Sequence, residues 1–411
     1  MKLARIALRN IGRNSRRSIL SATATAIATM AMVALVAYVN GMGADVKKNI
    51  ADLVTGHVQV RAKDYERYAQ LNPLHLRVQH YEDLLARLDA EPEVAAAVAR
   101  LSLPVGIFRG EETVGAEVMG VDLERERAFM HVDRIVASGR LPRAGANEAL
   151  VGTSLARKLG AGLGDRITLL SGTMRRSSNA LTVEIVGLAA FPVAAMDGTR
   201  LILPLDRAIA LARMDDSVTE VLVKAKDEGR IPALQRRVQE VLAAGGWTDL
   251  EARTWSDANY MLAFFDLAEA AYFIISVVFF LLASTVLVNT TMMVVFERTR
   301  EIGTVGALGM KGGEIVRMFL LEALYLAAIG ATAGVLLGLL IAVPLSYIGI
   351  DLSALTQQGL SFELSNIVFA QPKPLGTILI FVYAVAVSCA AAYLPARRAA
   401  KIQPVEALRA I

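Results

Sequence analysis

Four long apolar runs constrain this chain more than anything else in it: Ile19–Val39, Ala268–Phe296, Ala323–Ile348 and Leu375–Leu394. Each carries few or no charges, as insertion into a bilayer demands, because a Lys, Arg or Asp at mid-bilayer costs about 2.5–3.5 kcal/mol. At 1.5 Å per residue the first run is about 31 Å long, enough to cross the hydrocarbon core. A basic N-terminus before an apolar run mimics a signal peptide. The run is, however, longer than the usual apolar core of about 7–15 residues, so it reads as an uncleaved first transmembrane helix. Of the whole chain 55% is hydrophobic and the mean hydropathy is +0.46, above the roughly 45–50% apolar share of a soluble domain. The excess sits in the four runs, while the stretch between the first two has ordinary soluble composition. The expected fold class is an α-helical membrane protein with four transmembrane helices and a large α+β extracytoplasmic domain.

The flanking charges orient the runs. Lys2, Arg5, Arg9, Arg13, Arg16 and Arg17 precede the first, with no acid among them. Arg298, Arg300, Lys311 and Arg317 lie between the second and third, and Arg397, Arg398, Lys401 and Arg409 follow the fourth. The loop between the third and fourth offers only Lys373. By the positive-inside rule both termini and the second-to-third connection are cytoplasmic. The resulting partition is a cytoplasmic amphipathic helix over 1–18, spans at 19–40, 268–296, 318–348 and 375–394, an extracytoplasmic domain of two lobes over 41–267, a cytoplasmic segment over 297–317, an extracytoplasmic loop over 349–374 and a cytoplasmic tail over 395–411. The net charge of +4 and pI near 9.1 follow from these flanks. No basic stripe with interleaved aromatics speaks for nucleic acid.

Within 41–267, His57–Arg61 alternates like a half-buried strand, and Tyr81–Leu88 puts Leu84, Leu85 and Leu88 on one helix face. Gly164-Asp165 is a turn signal before a strand at Arg166–Leu170. Leu181–Leu188 reads as a further strand, and Thr219–Lys224 followed by Ile231–Leu242 as strand then helix. The two lobes are expected as an insertion at about 105–210 within a lobe formed by both ends of the segment.

Catalytic signals are missing from the sequence. It holds no Gly-Lys-Ser/Thr, hence no phosphate-cradling loop, and His57, His75, His80 and His131 form no His-Glu-x-x-His. Gly152-Thr-Ser-Leu-Ala156 lacks the final glycine of a nucleophile elbow. Neither a catalytic residue nor a metal site is expected. The single cysteine, Cys389, excludes an intrachain disulfide.

Other features are mechanical. Arg5, Arg9 and Arg13 share one face of a helix, as in an amphipathic helix on the cytoplasmic leaflet or as plain inside charge. Between the second and third spans lies Glu297-Arg298-Thr-Arg300-Glu301-Ile302-Gly303, then Leu308-Gly309-Met310. This mixed-charge segment is either a connector or the docking surface of a soluble partner. Gly303, Gly306 and Gly309 permit tight turns in it. Gly330, Gly334 and Gly338 recur every four residues and allow close approach of another helix, in this subunit or a second one. Pro344 is expected to kink or end the third span. Glu322, at its inner end, is read as a snorkelling or paired structural acid.

These residues resemble a known family, the permease subunits of ABC transporters of the MacB, FtsX and LolC/LolE type. Ala7-Leu-Arg-Asn10 with Arg13-Asn-Ser-Arg-Arg17 resembles its basic N-terminal helix. Glu297–Leu324 resembles its coupling helix and the start of its third span, and Pro395-Ala-Arg-Arg398 with Pro404-Val-Glu-Ala-Leu408 its ending. Gly152–Gly160 and Gly164–Thr168 resemble its external domain. The resemblance implies a non-catalytic permease of the bacterial inner membrane that binds no cofactor itself. ATP and Mg would act on a separate cytoplasmic ATPase, two copies of which dock on the coupling segments of two paired permeases, identical or homologous. A fused ATPase, as in MacB proper, is not found in this sequence, which favours the stand-alone arrangement of the lipoprotein-release subunits. Asn40-Gly41-Met42 is loosely like a motif of that branch, whereas Glu322-Ala323 departs from it. The implied activity is extraction or export of lipoprotein, lipid or another amphiphile, with a periplasmic carrier or adaptor as further partner. Peptide or drug efflux with an adaptor, and mechanical control of a cell-wall hydrolase, are the alternatives.

Overall fold

The computed structural model describes residues 2–13, 15–109, 112–256, 299–352 and 365–401, with scattered helical positions between 271 and 295. The chain divides into two compact units. A helical unit comprises Met1–Gly43, Ala263–Ile350 and Val368–Ile411, and a sheet unit comprises Ala44–Leu262 and Asp351–Ile367.

The helical unit contains α1 (Lys2–Arg13) and α2 (Ser15–Asn49), which runs on into the sheet unit. Three further helices among the described residues, numbered below after those of the sheet unit, belong to it. Three stretches among the described residues are long and apolar enough to cross a membrane: Ser18–Val54, Gly312–Ile348 and Pro374–Ala399. They match the expected first, third and fourth spans. Most of the second, 268–296, lies outside the described residues. The third-span helix, expected to kink or end at Pro344, does not end there but continues to Ile348 and stops at Gly349, whose φ is +74°. A proline takes one hydrogen bond out of a helix, which neighbouring helices and hydroxyls can make good in an apolar span.

Ten strands form one sheet in the other unit. They are β1 (Val58–Ala62), β2 (Val94–Arg109), β3 (Glu112–Val121), β4 (Val136–Gly139), β5 (Glu148–Gly152), β6 (Arg166–Gly172), β7 (Ser178–Ala189), β8 (Arg200–Pro204), β9 (Glu220–Ala225) and β10 (Leu250–Thr254). Their order is β10-β1-β9-β2-β3-β8-β5-β7-β4, with β6 beside β2 and β7. The β3–β8 and β5–β7 pairs are parallel and the others antiparallel. Leaving out single turns, its helices are α3 (Tyr81–Asp89), α4 (Leu123–Phe129), α5 (Thr153–Leu159), α6 (Leu205–Ala212) and α7 (Ile231–Gly245). The helical unit adds α8 (Thr299–Ala307), α9 (Gly312–Ile348) and α10 (Pro374–Ala399).

The expected strands and helices at 57–61, 81–88, 166–170, 181–188, 219–224 and 231–242 all form. The 16-residue β2 pairs with β9 at Val94–Arg100 and with β3 over Arg100–Arg109, so one backbone ladder runs through both halves of the sheet. Alternation assigns the two faces of β2. Leu101, Leu103, Val105 and Ile107 face a core shared with Leu84, Leu85 and Leu88 of α3 and Leu234, Val238 and Leu242 of α7. Val98 faces a smaller core with Leu53, Met119, Val121, Phe129 and Leu222.

Candidate docking segment, glycine row and polar sheet face

The docking segment forms α8, a turn, and the start of α9. The turn is made at Gly309, exposed with φ +97°. Gly303 and Gly306, expected to turn as well, lie inside α8. Lys311 precedes α9, and its N–H donates to the Glu314 carboxylate three residues on, at 3.0 Å. A local core holds the segment: Ile302, Ile315 and Phe319 pack with Val295, Ala396 and Ala399, and Met310 leans on them. Ile302 and Gly303 are buried and Met310 is half-buried. Both Ile302 and Gly303 were expected on a docking surface; here they turn inward, Ile302 into this core. Arg300, Glu301, Leu308 and Gly309 face outward, and Leu308 is 83% exposed. Glu301 is paired with Arg13 at the end of α1. Glu297 and Arg298 lie outside the described residues.

Gly330, Gly334 and Gly338 face α2 of the same chain. A Cβ on Gly330 would lie 2.5 Å from the Ala22 carbonyl oxygen. On Gly334 it would lie 2.5 Å from the Ala26 carbonyl oxygen and 2.6 Å from Thr29 Cβ, and on Gly338 2.7 Å from Val33 Cβ. The row thus brings two helices into backbone contact within one subunit. Glu322 is buried.

Sequence reading missed a band of buried charge on the sheet. Glu220 on β9 accepts from Gln59 Nε2 at 2.6 Å, Arg61 Nη2 at 2.9 Å and Ser102 Oγ at 3.3 Å. Arg61 also holds Glu66 at 2.8 Å and stacks 4.5 Å from the centre of the Tyr65 ring. Burial alone would lower the Arg61 pKa, but Glu220, Tyr65 and Glu66 outweigh it and raise it. Burial pushes the Tyr65 hydroxyl up to about 12, with Arg61 opposing. Arg61, Ser102, Glu117, Arg200 and Glu220 border a cavity of about 440 Å³. The signal available in the sequence was the alternation of β1, which puts Gln59 and Arg61 on one face. That face reads as solvated, and nothing local reveals that Glu220, 159 residues from Arg61, lies against it. No cluster of three or more His, Cys, Asp or Glu able to hold a metal occurs among the described residues.

Apolar helices long enough to span a bilayer, joined in one chain to a large domain built on a mixed sheet, define the class as membrane proteins with a folded domain beside their spans. Comparison with known proteins gives the family. Residues 18–241 match the MacB-like periplasmic core domain, and residues 273–404 the FtsX-like permease C-terminal domain. The chain belongs to the ABC transporter permeases of the MacB, FtsX and LolC type. The lipoprotein-releasing system transmembrane protein LolC of Neisseria meningitidis serogroup B is 24% identical over 345 residues, 80% of this chain and 81% of that protein. The macrolide export ATP-binding/permease protein MacB of Nitrobacter winogradskyi is 28% identical over 273 residues, 64% of this chain and 38% of that protein. The crystal structure of the periplasmic region of MacB from Actinobacillus actinomycetemcomitans covers 50% of this chain and 92% of its own, at 12% identity and a TM-score of 0.37.

Proposed function

We propose that this chain is a four-span permease subunit that couples ATP hydrolysis on a separate cytoplasmic ATPase to motion of its sheet domain outside the membrane. The cargo is a lipoprotein, lipid or other amphiphile drawn from the inner membrane. The observation that carries the reading is the outward-facing group Arg300, Glu301, Leu308 and Gly309, set on a core of its own. An 83% exposed leucine at a turn between two helices suits a socket on a partner, and the flanking charges suit its rim. The match along 81% of a lipoprotein-releasing protein supports an ATPase on another chain. Both termini and this segment are cytoplasmic in this reading, on the strength of the basic flanks.

The test is co-purification in mild detergent with a Leu308→Asp/Arg300→Glu variant, followed by ATP turnover in the reconstituted complex. Loss of both the ATPase subunit and turnover, with normal membrane insertion, is expected. Unchanged co-purification and turnover would return the segment to a plain connector. A bound acylated polypeptide supports the proposed cargo, whereas a bound adaptor with a drug-like molecule favours the efflux alternative.

A further inference from the structure

The end of α2 is seated in the sheet unit by an arrangement that neither the family nor the proposed function calls for. After Asn49 the helix widens into a π turn, Ile50–Val54, closed by the Thr55 N–H donating to the Ile50 carbonyl at 2.9 Å. Such turns are rare and gather at functional positions. Ile50, Ala51 and Leu53 of this turn are buried. The carbonyls that end a helix have no partners within it and carry its negative pole. Here a buried guanidinium meets them. Arg100 of β2, 1% exposed, donates from Nη1 to the Leu53 carbonyl at 2.6 Å and from Nη2 to the Asp52 carbonyl at 3.5 Å.

Glu126 of α4, fully buried, holds the same guanidinium from the other side, Nε to Oε1 at 2.6 Å and Nη2 to Oε2 at 2.9 Å. The ring of Phe129 lies 5.2 Å from its carbon. A second cation repeats the grip: Lys224 of β9 reaches the Asp52 carboxylate at 2.6 Å and donates to the Phe129 carbonyl.

Burying a charge pair is a poor route to stability, since well-packed apolar residues of like volume do as well or better. What the pair supplies is direction. A guanidinium satisfied by two planar contacts to a carboxylate leaves its remaining N–H groups aimed at one place. A change of the π turn to α geometry would rotate the end carbonyls about the helix axis and break both contacts. We propose that Arg100, oriented by Glu126, is a positioning residue that locks the end of α2 to β2 and α4 at one angle and one register, so that a turn of α2 about its axis is handed to the sheet. Its use in transport rests on the proposed function; the lock itself does not.

The experiment replaces the pair by apolar residues of similar size, Arg100→Met/Glu126→Leu, in the full chain. Spin labels go on cysteines introduced at Lys48 of α2 and Glu228 of the sheet unit, both exposed, with the single native cysteine removed as Cys389→Ala. The parent is expected to give one narrow distance distribution. The variant, with an unfolding midpoint within a few degrees of the parent, is expected to give a broad or divided one. In the complex with its ATPase, cargo released per ATP is expected to fall at least tenfold while ATP turnover and co-purification hold. A distribution that stays narrow overturns the lock. A broadened distribution with unchanged release per ATP overturns its use in transport. If no ATPase partners the chain, the proposed function fails while the distance arm still judges the lock. Should the double variant not fold, Arg100→Lys in the same labelled chain replaces it, because an ammonium cannot make the bidentate contact; the same two results then decide.

Discussion

Each of the two units is held together internally by a different means. In the sheet unit large aliphatic side chains are inside: Leu101, Leu103 and Ile107 are fully buried, and their transfer out of water is the main stabilising term. In the helical unit none of the described leucines is buried. Leu336, Leu340 and Leu375 are each well over half exposed, while the helix contacts are made by Gly330, Gly334, Ala331, Ala342 and Ala384. Lipid tails are as apolar as leucine, so burying leucine between helices gains little there and close backbone approach gains more. The comparison teaches that the same residue type carries opposite information in the two units: a leucine marks the core of one and the rim of the other.

The contrast breaks most sharply at Gly334. Gly334→Leu must place its Cβ where the Ala26 carbonyl oxygen and Thr29 Cβ already are, and backbone atoms cannot yield. The cost is expected to exceed the ~1–3 kcal/mol of ordinary overpacking, seen as loss of a single folded species on size exclusion in mild detergent. Leu337→Ala, three residues on and 46% exposed, is expected to leave the elution unchanged. Equal behaviour of the two variants would remove the glycine row as a helix contact.

The second test reverses the roles. Leu103→Ala in the sheet unit is expected to cost about 2–5 kcal/mol, whereas Leu340→Ala, 70% exposed on α9, costs little. Both tryptophans of the chain, Trp247 and Trp255, lie in the sheet unit. Their fluorescence therefore reports that unit's unfolding in the full-length protein. The Leu340→Ala effect is read instead by far-ultraviolet circular dichroism in mild detergent, to which the helices of the helical unit contribute; a midpoint shifted as far as that of Leu103→Ala would show that the two units do not differ in this way.

The same difference sets what could be read from the sequence. The first, third and fourth apolar helices were legible because a bilayer imposes uniform composition over some twenty residues, and the local strands because alternation is a local property. The helix beyond Val39 was not, since the residues after it, Asp45, Lys47 and Lys48 among them, look like a loop, yet α2 continues to Asn49. Of the residues proposed for docking, Arg300, Glu301, Leu308 and Gly309 face outward. Charge pattern could not tell that Ile302 turns inward, because the core that takes Ile302 is completed by Ala396 and Ala399 from the end of α10. The grip on the end of α2 was invisible for the same reason: Leu53, Arg100 and Glu126 meet only after three separate elements have paired.

The smallest expected effect separates surface charge from buried charge within the sheet unit. Glu148 at the start of β5 receives both Nη groups of Arg140, at 2.6 and 2.7 Å, and the Arg143 N–H at 2.9 Å. The Arg140 contact chiefly, against some desolvation and with help from the Arg143 N–H, draws the Glu148 carboxyl down to about 2. An unfolded glutamate titrates near ~4.3. Because the folded value is the lower one, the stability from this group is present above the unfolded value and is lost as pH falls from ~5 toward 2. Arg140 is exposed to solvent, so screening keeps the effect small, and added salt should shrink it further. Glu148→Gln is expected to lower the unfolding midpoint slightly at pH 7 and to flatten its decline between pH 5 and 3, read by tryptophan fluorescence. The buried pair at Arg100 lies apart from salt, so no such salt dependence is expected for the distance distribution that it sets. A Glu148→Gln midpoint that falls with pH as steeply as the parent's would show that the acid sensitivity of this unit resides in other carboxylates.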